Sequence, residues 1–361
     1  MTQSSTDGQP FYRLAPWKWL TVAILLYSFI AGWFVPLHEG IIEVSPGQET
    51  AGSLIEISVT GYNTHYTSDP APIRAWLRLM GDTVIEARHI DRMNDRELKA
   101  RFYIPSVFPF RQDAYPMSLI VDHHGHGPAV LPNAIFLKPA TEQDISEVGL
   151  WYEDKIDEIA LKKDFRFPFR NILLETIRNT YFHVPLWFAM IILFGCSAWY
   201  SIKYYRTGNI LYDVKTMSLI NTGILFGVLG LVTGMIWAKY TWGAWWSWDV
   251  KQNMSAIALL IYAALIVLRG SLGDEMQRAR LTAGYNMFAF ILLIPLLFII
   301  PRMTDSLHPG NGGNPALGGE DLDNTMRLVF YPAVIGFILL GLWISELTYR
   351  LEKVKQHVEV E

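Results

Sequence analysis

The sequence predicts an α-helical polytopic membrane protein with six transmembrane helices and an inserted extracytoplasmic β-sandwich domain, and three observations predict it. Hydrophobic residues make up 51% of the 361 positions and aromatics 14%, against 18% charged, a balance too apolar for an ordinary soluble domain. Six stretches approach the roughly 20 apolar residues that a helix needs to cross a hydrocarbon layer. Between the first and second, residues 37 to 166 alternate with the period of strands, and this water-compatible segment explains a mean hydropathy of only +0.20. The chain therefore divides into a cytosolic N-terminus and first span at 1–36, the β-insertion at 37–166, and an interfacial helix with five spans at 167–361.

The first span, Trp17 to Pro36, has no small-residue cleavage site and reads as a retained signal anchor. The others are read as Val184 to Ile202, Met217 to Ala238, Met254 to Leu268, Leu281 to Ile300 and Leu328 to Leu347. The fourth is short, and its start can reach back into the tryptophans before it. Arg13 and Lys18 precede the first span, while Lys203, Arg206 and Lys215 follow the second. Arg269, Arg278 and Arg280 follow the fourth, and Arg350, Lys353 and Lys355 the sixth. The opposite side carries mainly Lys239, Lys251 and Arg302, so the positive-inside rule places both termini in the cytosol of a bacterial cytoplasmic membrane. The β-insertion then lies outside.

Within the insertion, Ile55, Ile57 and Val59 alternate with Glu56, Ser58 and Thr60, and Ile73, Ala75, Leu77 and Leu79 with Arg74, Trp76 and Arg78. The same period recurs at Leu98, Ala100, Phe102 and Ile104, and at Met117, Leu119 and Val121. Short strands separated by Gly, Pro, Asn and Asp suggest an immunoglobulin-like sandwich without its disulfide. The turn VDHHGHG puts His123, His124 and His126 together, but a glycine-containing turn offers no preformed metal geometry, and it reads as a solvated turn. From Phe167 to Thr180, the apolar positions Phe169, Ile172, Leu173, Thr176 and Ile177 follow a helical period, predicting an amphipathic helix in the interface.

A net charge of −4 and the lack of a basic block exclude nucleic acid as a partner. The single cysteine, Cys196, excludes a disulfide framework and covalent Cys-x-x-Cys-His haem attachment.

The stretch TWGAWWSWDVKQ places Trp242, Trp245, Trp246 and Trp248 in seven residues on the outer side. Two readings stand: an aromatic belt at the lipid boundary, or a continuous stacking surface for a large planar ligand held partly in water and partly in lipid, for which haem has the right shape and polarity. Haem iron would need histidine here. His183, in TYFHVP, and His308, in SLHPG, are level with the tryptophans, and His38 competes with them. Glycines 310, 312, 313, 318 and 319 make the loop from Arg302 to Arg327 able to move, as a carrier of one ligand or as a plain solvated linker. Lys239, Lys251 and Arg302 can pair with propionates or simply mark the interface. Asp249 would repel them and is assigned to orienting an indole N–H or starting a helix.

WGAWWSWD resembles the tryptophan-rich WWD signature of the haem-handling membrane proteins of cytochrome c maturation, and TYFHVP with LVTGMIWAKYTWG is most similar to the CcmC branch. The resemblance implies a carrier rather than an enzyme. It implies that Trp237, Trp242, Trp245, Trp246, Trp248, Asp249, Lys251 and Arg302 surround non-covalently bound b-type haem on the outer face. It further implies His183 and His308 as axial ligands, a CcmE-like haem chaperone as recipient, and a CcmAB-like ABC transporter as helper. The β-insertion departs from the family pattern. A CcsA-type synthetase shares the signature but has more spans and histidines inside the membrane, whereas here the histidines lie outside the expected spans. A structural membrane subunit without haem is the remaining alternative.

Overall fold

The computed structural model describes residues 15–81, 83–141, 144–152, 156, 158–160, 164–308 and 322–358. They form two compact units, one of residues 36–175 and one of the rest. The second contains six helices long and apolar enough to cross a membrane: α1 (Pro16–Phe34), α2 (Thr180–Thr207), α3 (Ile210–Trp242), α4 (Val250–Gly270), α5 (Glu275–Met303) and α6 (Asn324–Val358). The six expected spans are borne out. Each observed helix runs a few residues past its apolar stretch at one or both ends, except that α1 stops at Phe34, just before Pro36. Inside α5, Pro295 opens a π-helical turn, Pro295–Ile299, where its ring leaves no N–H for the helical ladder.

Glycine spacing explains how α2 meets α3. Gly223, Gly227, Gly230 and Gly234 form one stripe of α3, and a Cβ at each would press on Phe194, Met190, Trp187 and His183 of α2 in turn. Small residues let two membrane helices approach closely, so packing replaces the hydrophobic drive that lipid does not supply. The stripe thus sets the height of His183. Around this seam, Phe194 stacks on Tyr262 of α4 at 3.6 Å. Ser197, Ser201 and Asn286 satisfy one another in the interior, with Asn286 Nδ2 donating to both hydroxyls.

Charged groups in the bundle are paired. Lys18 of α1 meets Glu346 of α6 at 2.9 Å. Asp213, in the first turn of α3, is buried and takes both guanidinium nitrogens of Arg269, at 2.9 and 2.6 Å. The same Arg269 donates to Thr282 of α5 at 2.6 Å, so one side chain ties three helices together.

The other unit is a two-sheet β-sandwich, as expected. Its strands are β1 (Gly40–Ser45), β2 (Gln48–Thr50), β3 (Ser53–Tyr62), β4 (Ile73–Met80), β5 (Thr83–Glu86), β6 (His89–Arg92), β7 (Glu97–Ile104), β8 (Tyr115–His123) and β9 (Gly127–Lys138). The sheets run β1-β3-β7-β6 and β2-β9-β8-β4-β5, which matches A-B-E-D and G-F-C of an immunoglobulin sandwich. Alternation fills the core: Ile55, Ile57 and Val59 face inward opposite Phe102, Ala100 and Leu98. Tyr115, at the start of β8, donates its hydroxyl to the Phe110 carbonyl, the tyrosine corner of such folds. In a core without a disulfide, Trp151 is fully buried and donates to Val107 O at 2.7 Å.

Two expectations are corrected. The amphipathic helix over Phe167 to Thr180 does not form. Phe167 is buried and pairs with Leu37, donating to Pro36 O and accepting from His38 N, and Pro168 biases it away from helical angles. Only Leu174–Asn179 winds, as a 3-10 turn leading into α2. The VDHHGHG turn is not simply solvated either: His123 is 2% exposed, because it ends the inward-facing register of β8, and only His124 is exposed.

Candidate functional site

His183 lies inside α2, one turn from its start, rather than just ahead of the span as its sequence position suggests. Its Nδ1 is 3.0 Å from the Thr233 hydroxyl of α3. Gly234 admits the ring, since a Cβ there would lie 2.8 Å from His183 Cε1. Helix α2 is anchored at this level by Asn179, whose Nδ2 donates to Thr233 O at 3.4 Å. Arg178 reaches Val35 O at 2.5 Å.

Helix α3 stops at Gly243, which takes the left-handed φ of 81° that a side chain disfavours. Lys239 closes this end by donating to Gly243 O at 3.0 Å. The tryptophan segment that follows is held by the first turn of α4. Gln252 Oε1 accepts from Ser247 N and Oγ, both at 3.0 Å, and Asn253 donates to Trp248 O at 2.8 Å. Trp248 itself sits at φ 57°. A non-glycine residue held there costs about 1–3 kcal/mol and persists only where its surroundings fix it; here it swings the indole out to 78% exposure.

The indoles do not make one continuous sheet. Trp237 and Trp242 meet edge-on at 4.8 Å, and both pack on the His308 ring, at 5.7 and 4.7 Å. Trp246 and Trp248 form a separate edge-on pair at 6.3 Å, and Trp245 is 52% exposed. Two tryptophans thus wall a histidine, while Trp245 and Trp248 offer apolar surface outward.

Asp249 connects these parts. Its Oδ1 caps α4 by accepting from Lys251 N at 2.8 Å, which bears out the helix-start assignment; no indole donates to it among the described residues. The same carboxylate accepts from Leu307 N at 2.7 Å and meets His308 Nδ1 at 2.8 Å. Burial alone would raise this carboxyl. The His308 hydrogen bond and charge, with the Leu307 N–H and Ser306 hydroxyl, outweigh it and hold Asp249 well below the usual carboxylate range. No spacing rule links residues 249 and 308, so nothing in the sequence signals this pair.

The two histidines come from α2 and from the segment that precedes α6. Each has Nδ1 engaged, by a hydroxyl or a carboxylate, which orients the ring and leaves Nε2 as the donor atom for a metal. An open cleft of about 410 Å³ lies beside Asp249, walled by Trp248, Asp249 and Asn253 on one side and Asp305 to Leu307 on the other. Arg302 is exposed, and Lys251 half-buried, in this region. His38 belongs to the β-unit, where its N–H donates to Phe167 O at 2.7 Å. The glycines at 310, 312, 313, 318 and 319 lie outside the described residues.

Gly234→Ala is expected to push the His183 ring away from α3 while leaving every polar group in place. Its signature is altered His183 ligation with little loss of protein, read from the absorption spectrum of any metalloporphyrin bound.

Residues 171–361 match the CcmC family, described as heme exporter protein C; the match starts near the end of the β-unit and covers α2 to α6. Heme exporter protein C of Haemophilus influenzae is 28% identical over 134 residues, 37% of this chain and 54% of that protein. That of Bradyrhizobium diazoefficiens is 27% identical over 188 residues, 51% and 69% of the two chains. The cytochrome c biogenesis protein CcsA of Prochlorococcus marinus is 39% identical over 80 residues, 22% and 26%. The chain thus spans about half the length of the first of these relatives.

Proposed function

The chain belongs to the CcmC family, heme exporter protein C, and from that membership we propose that it binds haem where α2, α3, α4 and the His308 segment meet, and passes it on for cytochrome c maturation. The observation that carries this reading is the pair of half-buried imidazoles, His183 and His308, each held through Nδ1 by Thr233 or Asp249. Two such nitrogens suit the axial positions of haem iron. Trp237 and Trp242 fix the His308 ring, and exposed Trp245 and Trp248, with Trp246, supply apolar burial for the porphyrin. Lys251 and Arg302 are the cations for its propionates.

In this reading both termini are cytosolic and the site faces outward, in keeping with the basic residues after the even-numbered spans. A CcmE-like chaperone receives the haem and a CcmAB-like transporter assists. The β-sandwich closes its own core and serves partner docking. The protein is a carrier, and six helices favour this over a CcsA-type synthetase. The test is the absorption spectrum of protein expressed with ample haem and purified in mild detergent. A Soret band that survives gel filtration supports the proposal, and colourless folded protein contradicts it.

A further inference from the structure

The β-sandwich gathers five metal-capable side chains at one end, from three separate segments. Glu39 precedes β1, His65 and Asp69 lie between β3 and β4, and His123 and His126 form the β8–β9 turn. We propose that this end of the sandwich binds a divalent first-row transition metal ion of the zinc class, with His123, His126 and Asp69 as ligands and Glu39 and His65 positioning His126.

Geometry separates the two roles. His126 Nε2 is 3.1 Å from Asp69 Oδ2, and His123 Nδ1 is 4.0 Å from the same oxygen. Ligands about 2.0–2.1 Å from a tetrahedral ion stand about 3.3–3.4 Å apart, so small side-chain shifts suffice. The other nitrogen of His126, Nδ1, is 2.9 Å from Oε1 of buried Glu39, which His65 Nδ1 meets at 3.2 Å. Glu39 thus stands at ion-pair distance behind His126, where a carboxylate orients the ring in zinc sites.

His123 supplies a second, independent observation. It is buried, yet neither ring nitrogen makes a hydrogen bond of good geometry among the described residues. A buried polar group left so carries a desolvation cost that a bound ion would remove. The scaffold is built for the cluster. Asp69 Oδ1 accepts from Ala71 N at 2.9 Å, and Arg92 holds the carbonyls of Tyr66, Asp69 and Ala71. Gly125 has no Cβ to collide with the Asp69 carboxylate. Imidazole and carboxylate donors favour zinc-class ions over calcium or magnesium.

The test uses the full chain in mild detergent, stripped with a chelator, given Zn²⁺, dialysed and assayed for zinc by elemental analysis, with affinity from competition against a chromophoric chelator. One zinc per chain is expected, with His123→Ala and Asp69→Asn lowering affinity at least a hundredfold. Glu39→Gln, which removes no ligand, should lower it about 10–100-fold, and Gly125→Ala should also weaken it. His183→Ala and His308→Ala should leave it unchanged, which separates this site from the helical one. Wild-type protein that holds no zinc overturns the proposal, as does wild-type affinity in Glu39→Gln or loss confined to the His183 and His308 variants. Should His123→Ala not fold, wild-type stoichiometry and Glu39→Gln decide.

Discussion

Asp249→Ala is expected to loosen haem and the His308 segment together. The side chain bonds Lys251 N, Leu307 N and His308 Nδ1, with the Ser306 hydroxyl as a further donor, and the residue is 7% exposed. Its loss removes a helix cap at about 1 kcal/mol, takes the acceptor from the Leu307 N–H, and frees the imidazole to rotate. On the proposed reading Asp249 is a positioning residue, and losing such a partner lowers metal affinity about 10–100-fold. Asp249→Asn is the milder change. The cap and the His308 bond share Oδ1, so an amide oxygen there keeps both, while the amide nitrogen faces the Leu307 N–H and the charge is lost; stability and haem affinity should each recover in part. The pH dependence has a definite sign. A carboxyl held below its ordinary 3.8 stabilises the fold fully above that value and loses this contribution as pH falls through the lower folded value. Haem retention in a dilution series and thermal melts of the three proteins check both parts.

Arg269→Ala should give the largest loss of stability, about 3–5 kcal/mol, the usual cost of stranding one member of a buried ion pair. Asp213 would keep its charge within the bundle, and Thr282 would lose its donor. Arg269→Lys retains the charge but not the two-point grip, and should fall between. The pair sits at the start of α3 and the end of α4, away from the end that carries Trp242 and Asp249. Whatever folds should therefore bind haem with unchanged affinity. Detergent melts read the first effect and haem titration the second.

What was legible in the sequence follows the range of each interaction. Apolar length reports a span directly, and a period of two reports a strand such as Ile55 to Thr60, because both are local consequences of geometry. The gap at Phe167 shows the limit: the apolar spacing was helical, but pairing with Leu37 outweighed it. Asp249 was legible as a helix start, since that bond spans two residues, and illegible as the partner of His308, since that one spans 59. For the same reason His123 and His126 read as a solvated turn, as Glu39, His65 and Asp69 reach them only through the fold. The glycine stripe of α3 was visible at helical spacing, but its bearing on His183 required knowing which helix lay across it.

On the proposed reading, His183 and His308 hold the iron from opposite sides. Low-temperature electron paramagnetic resonance of the oxidised, haem-loaded protein, with absorption spectra, tests this in the wild type and in His183→Ala and His308→Ala. Two imidazoles provide a strong axial field, so the wild type should be six-coordinate and low-spin, and each variant should turn high-spin and return to low-spin on adding imidazole. An unchanged low-spin signal in both variants would contradict the assignment and turn attention to His38.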